Sequence, residues 1–129
     1  MQDPDNDQMK AQGLAMFDMA CVKGHVESCR YLAGIADDDA KARKYYERAC
    51  NMRDVQSCFE LAKLMGAAGD DKSKMATIAI YKKLIGILEP RCDTKEVYAC
   101  TSLAEVYEQM AIKYRDRACQ AETGQPCKQ

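Results

Sequence analysis

"ACVKGHVESC", residues 20–29, sets two cysteines with seven residues between them around a glycine. The spacing returns in "ACNMRDVQSC" (Cys50 to Cys58), in "CDTKEVYAC" (Cys92 to Cys100) and in "CQAETGQPC" (Cys119 to Cys127). These four C-x7-C pairs use all eight cysteines of the chain. On a continuous helix, residues eight apart are separated by about 12 Å along the axis. A disulfide needs Cα atoms within about 7 Å. If the cysteines pair locally, the chain must therefore fold back between them, and each pair becomes a staple across the turn of an αα-hairpin. Gly24 suits the left-handed residue that ends a helix. Closing so small a loop is worth roughly 2–3 kcal/mol in the chain-entropy account. An even cysteine count at fixed spacing favours disulfides and an oxidising compartment. Two alternatives stand beside this. Zinc sites usually space their cysteines two to four apart and often include His, whereas this chain has one His. Free, buried structural thiols are the other.

Outward from the cysteines, three segments align without gaps. "CRYLAGI", "CFELAKL" and "CTSLAEV" share C-x-x-Leu-Ala, carried by Leu32-Ala33, Leu61-Ala62 and Leu103-Ala104. Val26, Val55 and Val97 occupy one place inside the first three pairs. "MFDMAC", "YYERAC" and "YRDRAC" precede first cysteines. Each unit reads as an Ala-rich helix, a short turn and a second helix. The expected fold is all-α: a solenoid of αα-hairpins in one domain over residues 1–129. Its repeats are expected near 10–36, 39–67 and 73–109, with a partial C-terminal unit at 110–129. Helices are expected near 7–22, 26–36, 39–51, 55–67, 73–89 and 95–118, the last either continuous or broken near 108–110. Pro90 is expected to end the fifth. That helix, "KMATIAIYKKLIGILE", carries Ile78, Ile80, Tyr81, Leu84, Ile85, Ile87 and Leu88 around more than one face. It is either buried on two sides or an exposed apolar ridge for a partner.

Composition supports helices. Of 129 residues, 47% are hydrophobic, yet there are only two Phe, seven Tyr and no Trp. Ala, Leu and Met must fill most of the core. A net charge of −1 with 30% charged residues argues against a nucleic-acid footprint or a polybasic membrane patch. No stretch approaches the roughly 20 apolar residues of a membrane span. The opening "MQDPDNDQ" reads as a mature chain behind a removed leader, with Met1 as an added start.

"KARKYYERACNMRDVQSCFELAKLM", residues 41–65, resembles a Sel1-like repeat, an αα-hairpin related to the tetratricopeptide repeat. The matching positions are Lys41-Ala42, Tyr45-Tyr46, Ala49-Cys50 and Cys58 through Ala62. The paired cysteines are similar to the disulfide-rich branch exemplified by the Helicobacter cysteine-rich proteins, over roughly residues 11–127. There are departures. First cysteines lie 29, 42 and 27 residues apart, short of or beyond the usual repeat. The glycine after the first cysteine becomes Arg53, Lys95 and Glu122 in later units, and Leu-Gly becomes Leu-Ala. No Gly, Pro or Asp turn signal appears between Cys100 and Cys119 until Asp116, which leaves three hairpins and a stapled tail.

No catalytic constellation, metal site or cofactor is expected. His25 reads as a solvated turn residue. Ser28 and Ser57 fall at equivalent repeat positions. Ser73 and Lys74 do not form S-x-x-K, and Gly66 and Gly69 sit in a linker rather than a phosphate loop. Asp37–Asp39 and Asp70–Asp71 read as helix caps in preference to a weak Ca2+ site. "KARKYYER" is the candidate partner-binding stretch, through Arg43, Lys44, Tyr45 and Arg48. In repeat stacks the first helices line the concave face, and Tyr beside Arg has hot-spot chemistry. One of Tyr45 and Tyr46 is expected in the core and the other at the surface, facing an acidic partner segment. A solvated helix flank is the plainer alternative. The resemblance implies an exported bacterial module that binds another protein or peptide in an adaptor, virulence-associated or immunity-type role, in the periplasm or secreted. It also implies two other readings: an enzyme that binds or hydrolyses β-lactams, and a redox or assembly factor of an oxidising compartment such as the mitochondrial intermembrane space.

Overall fold

The computed structural model of the chain describes residues 4–124. Among them the chain is all-helical, with six helices in sequence: α1 (Pro4–Val22), α2 (Val26–Ile35), α3 (Asp39–Asn51), α4 (Val55–Gly66), α5 (Asp71–Asp93) and α6 (Val97–Thr123). It falls into two compact units, one up to Leu64 and one from Met65.

Three turns share one construction. Gly24 N–H donates to the Cys21 carbonyl at 3.1 Å, Arg53 N–H to that of Cys50 at 2.9 Å, and Lys95 N–H to that of Cys92 at 2.8 Å. The next residue reaches one position further back: His25 to Ala20 at 2.9 Å, Asp54 to Ala49 at 3.2 Å, Glu96 to Arg91 at 3.2 Å. This is the Schellman closure, which satisfies the last carbonyls of a helix and needs a left-handed residue just beyond it. Gly24 has φ 101°, and Arg53 and Lys95 take φ 69° and 66° at the same place. One further residue, His25, Asp54 or Glu96, separates it from the following helix. The reversal is therefore short enough for two cysteines eight positions apart to meet. Disulfides join Cys21 to Cys29, Cys50 to Cys58 and Cys92 to Cys100, with Cα atoms 4.8, 4.7 and 4.6 Å apart. The sequence expectation of local pairing holds for these three. Cys119 is itself in a disulfide, and Cys127 lies outside the described residues.

The start of the second helix is built from the turn. Ser57 N–H and Oγ both donate to the Asp54 carboxylate. In the first hairpin His25 Nδ1 takes that place, accepting from Ser28 N–H at 3.3 Å and lying 2.6 Å from Ser28 Oγ. Ser28 and Ser57 are both buried. The third hairpin has buried Ala99 at that position, and Glu96 turns back to accept from Arg91 Nε at 3.0 Å. Elsewhere Asp38 caps α3, accepting from Lys41 N–H at 2.8 Å, and Asp70 caps α5, accepting from Ser73 N–H at 3.3 Å. The aspartate runs thus act as helix starts. Asp70 also explains why α5 opens at Asp71, two residues before the expected start.

One expectation changes, and one left open is resolved. Pro90 does not end α5, which continues to Asp93. Proline removes one N–H and frees the carbonyl four residues earlier, here that of Gly86. Both residues are exposed, so water can take that bond and the helix carries on. The stretch from Cys100 to Cys119 is one helix, α6, because no residue within it interrupts the backbone pattern. The fourth unit therefore contributes, as far as it is described, only the end of α6. There the left-handed residue is Gly124, φ 70°, two positions beyond Glu122.

In the first unit α2 packs between α1 and α3. Its core joins Cys21, Cys29, Leu32 and Ala49, with Leu14, Val26, Tyr45 and Met52 packed against them. In the second unit α5 lies along α6. Thr77, Ile78, Ile80, Tyr81, Leu84, Ile87 and Leu88 of α5 are buried, as are Ala99, Ser102, Leu103 and Val106 of α6. At about 100° per residue the α5 set spans about half the circumference. Ile85 is half-buried. The apolar surface of α5 is thus used internally, and the reading of it as an exposed ridge fails.

Candidate functional site

The basic stretch of α3 divides on folding. Lys41, Lys44, Tyr45 and Arg48 fall on one face, while Arg43 points roughly 160° away from Lys41. Arg43 is exposed. Tyr45 is half-buried and donates from its hydroxyl to Asp18 Oδ1 of α1 at 3.0 Å. Arg48 Nη1 lies 3.6 Å from the same Asp18 oxygen, and its guanidinium sits 5.8 Å from the Tyr45 ring centre. Lys44 Nζ lies 5.7 Å from that ring centre. Burial, then the Asp18 carboxylate, raises the Tyr45 pKa above its ordinary value. Tyr45 and Arg48 thus join α3 to α1 through Asp18. Tyr46 is also half-buried, its pKa raised by burial and then by Glu60 of α4. The expected division of the two tyrosines into one buried and one exposed does not occur.

Next to Tyr45 lies a groove of about 720 Å³. Its α1 wall is Lys10, Gly13, Leu14 and Phe17, at i, i+3, i+4 and i+7. Its α2 wall is Tyr31, Leu32 and Ile35, followed by Ala36 and Asp37 of the loop, and Lys41 and Tyr45 of α3 close one end. Phe17 and Tyr31 stack across it at 4.6 Å between ring centres. They are 40% and 48% exposed, and Ile35 is 48% exposed. This is a large apolar surface left open in a helical unit. Lys41 Nζ donates to Asp37 Oδ1 at 3.1 Å, which lowers the Asp37 pKa and raises that of Lys41. Lys10 has no ion-pair partner among the described residues.

Sequence reasoning missed Lys10, Leu14, Phe17, Tyr31 and Ile35. The repeat alignment held a signal. Four residues before the first cysteine stand Phe17, Tyr46 and Leu88; two after the second stand Tyr31, Glu60 and Ser102. Only the first unit places an aromatic at both positions, and those two residues make the stack. A smaller recess of about 340 Å³ lies between the start of α5 and the end of α6, lined by Asp71, Lys74, Met75, Arg117 and Ala121.

Among the described residues no cluster of three His, Cys, Asp or Glu is placed to hold a metal ion, and no helix is long and apolar enough to cross a membrane. Three disulfides and no free cysteine among the described residues point to an oxidising compartment. Comparison with known proteins finds no matching family model, no matching curated protein and no matching solved structure.

Proposed function

We propose that the chain is a protein-binding module whose contact site is the groove between α1, α2 and the start of α3. The observation that carries this is the open apolar lining, Leu14, Phe17, Tyr31 and Ile35, in a unit whose disulfides already hold its helices together. Aromatic side chains exposed in a concave site supply contact area at low entropic cost. The C-x7-C hairpins support a Sel1-like repeat of the disulfide-rich branch, and with it an exported adaptor, virulence-associated or immunity-type role in the periplasm or medium. Tyr45 belongs to this site as its end wall, with Lys44 beside it. Arg48 serves from behind, holding Tyr45 and Asp18 in place. Arg43 lies off the site.

The test is site-specific photo-crosslinking in the native cell. A benzophenone amino acid at position 31 is expected to give a discrete adduct in the oxidising compartment, and one at exposed Glu108 is expected to give none. The same adducts from both positions, or none from position 31, would remove the proposal.

A further inference from the structure

We infer that the groove takes an amphipathic helical segment of another protein, with an apolar row set beside acidic residues. This rests on the proposed binding role and names the partner's chemistry. Three observations carry it. The apolar lining on α1 runs Gly13, Leu14, Phe17 and on α2 runs Leu32, Ile35, the i, i+3, i+4 rows that receive a helix laid between two others. Along α1 the lining from Lys10 to Phe17 spans about 10 Å, about two helical turns.

Gly13 is the second observation. Glycine inside a helix costs roughly 0.5–1 kcal/mol relative to alanine. Here a Cβ would meet nothing within 4 Å, so no packing within the chain demands the glycine. Its missing side chain deepens the groove wall between Lys10 and Leu14.

Charge is the third. The ionisable groups facing the groove are Lys10 from α1, Asp37 before α3, and Lys41 and Tyr45 from α3. Asp37 and Lys41 neutralise each other at 3.1 Å. Lys10 remains in the lining, and around Tyr45 stand Lys44, Arg48 and Asp18, of which Arg48 and Asp18 pair with each other and leave Lys44. The rim therefore carries a positive balance over an apolar floor, and carboxylates on the partner complement it.

The experiment selects from a random displayed library of 14-residue peptides against the full, oxidised chain. Enriched peptides are expected to carry large apolar residues at i and i+4 together with Asp or Glu. Their affinity is expected to fall at least tenfold in Gly13→Leu, which fills the groove, and to stay unchanged in Gly34→Leu. Gly34, in the last turn of α2, also has nothing within 4 Å of an added Cβ and does not line the groove. Lys10→Glu with Lys44→Glu is expected to turn the selection towards basic peptides. Peptides that depend on Gly13 yet show no acidic bias would overturn the partner chemistry and leave the groove as a binding site. Peptides bound equally by both glycine variants, or no enrichment at all, would overturn both. A concentration-dependent dimer in light scattering that Gly13→Leu abolishes would assign the groove to a second copy and overturn the inference.

Discussion

Arg53 and Lys95 stand where Gly24 stands, and their φ values of 69° and 66° lie in the left-handed region. An L-residue there is strained by roughly 1–2 kcal/mol, part of which glycine loses again through its freer unfolded chain. Arg53→Gly and Lys95→Gly are therefore each expected to raise stability by about 0.5–1 kcal/mol, and Gly24→Ala to lower it by about 1 kcal/mol. Thermal midpoints of the three variants check this; no rise for either glycine substitution would mean that the turn is not strained. The caps give a second contrast. Asp54 holds both polar groups of Ser57, so Asp54→Ala is expected to cost about 1–2 kcal/mol. Glu96 meets only Arg91 at the surface, and exposed pairs are worth less than about 1 kcal/mol. Denaturant titration that ranked Glu96→Ala the more damaging would contradict the capping account.

Among the elements, the hairpins were the most legible part of the sequence, because local pairing of cysteines eight positions apart requires the chain to reverse between them, as it does in the first three pairs. Helix existence followed from composition and repeat alignment. What was not legible depended on surroundings. Pro90 carries a strong local stop signal, yet the bond it removes falls at the exposed side of α5, where little is lost. Val26, Val55 and Val97 align in sequence, but Val26 is half-buried, Val55 buried and Val97 77% exposed. A repeat position fixes conformation, not what covers it. The candidate site suffered the same way: the basic residues of α3 stood out by charge, whereas the groove arises from Phe17 and Tyr31 meeting across a turn. The open third hairpin carries its own prediction. Cys92 and Cys100 are both half-buried, while Cys21, Cys29, Cys50 and Cys58 are buried. Stepwise reduction with a small thiol, followed by alkylation and peptide mass analysis, should open Cys92–Cys100 before Cys21–Cys29 and Cys50–Cys58. Earlier opening of Cys21–Cys29 or Cys50–Cys58 would show that access does not set the order.

At the scale of the whole molecule, three tyrosines link both units to pH. Tyr45, Tyr46 and Tyr81 all have raised pKa values, with burial the largest cause in each. A raised folded-state pKa means that the neutral phenol is preferred in the folded chain. Their contribution is complete below about pH 10, the ordinary tyrosine value, and is lost as pH rises through the higher folded values. Stability is expected to fall above about pH 10, and Tyr81→Phe to soften that fall in the second unit. A denaturation midpoint independent of pH up to 11 would contradict it.

Each of the first three cysteine pairs closes its own hairpin, and the sequence makes this directly measurable. Trypsin cuts after Lys23, Arg53 and Lys95, once inside each of the first three pairs, and after Arg117 and Lys128 around the fourth. Digestion of the unreduced, alkylated protein should yield three two-chain species: residues 11–23 joined to 24–30, 49–53 joined to 54–63, and 92–95 joined to 96–113. Peptides joined between different hairpins would contradict the fold, and alkylated cysteines in these six positions would contradict both the staples and the oxidising compartment.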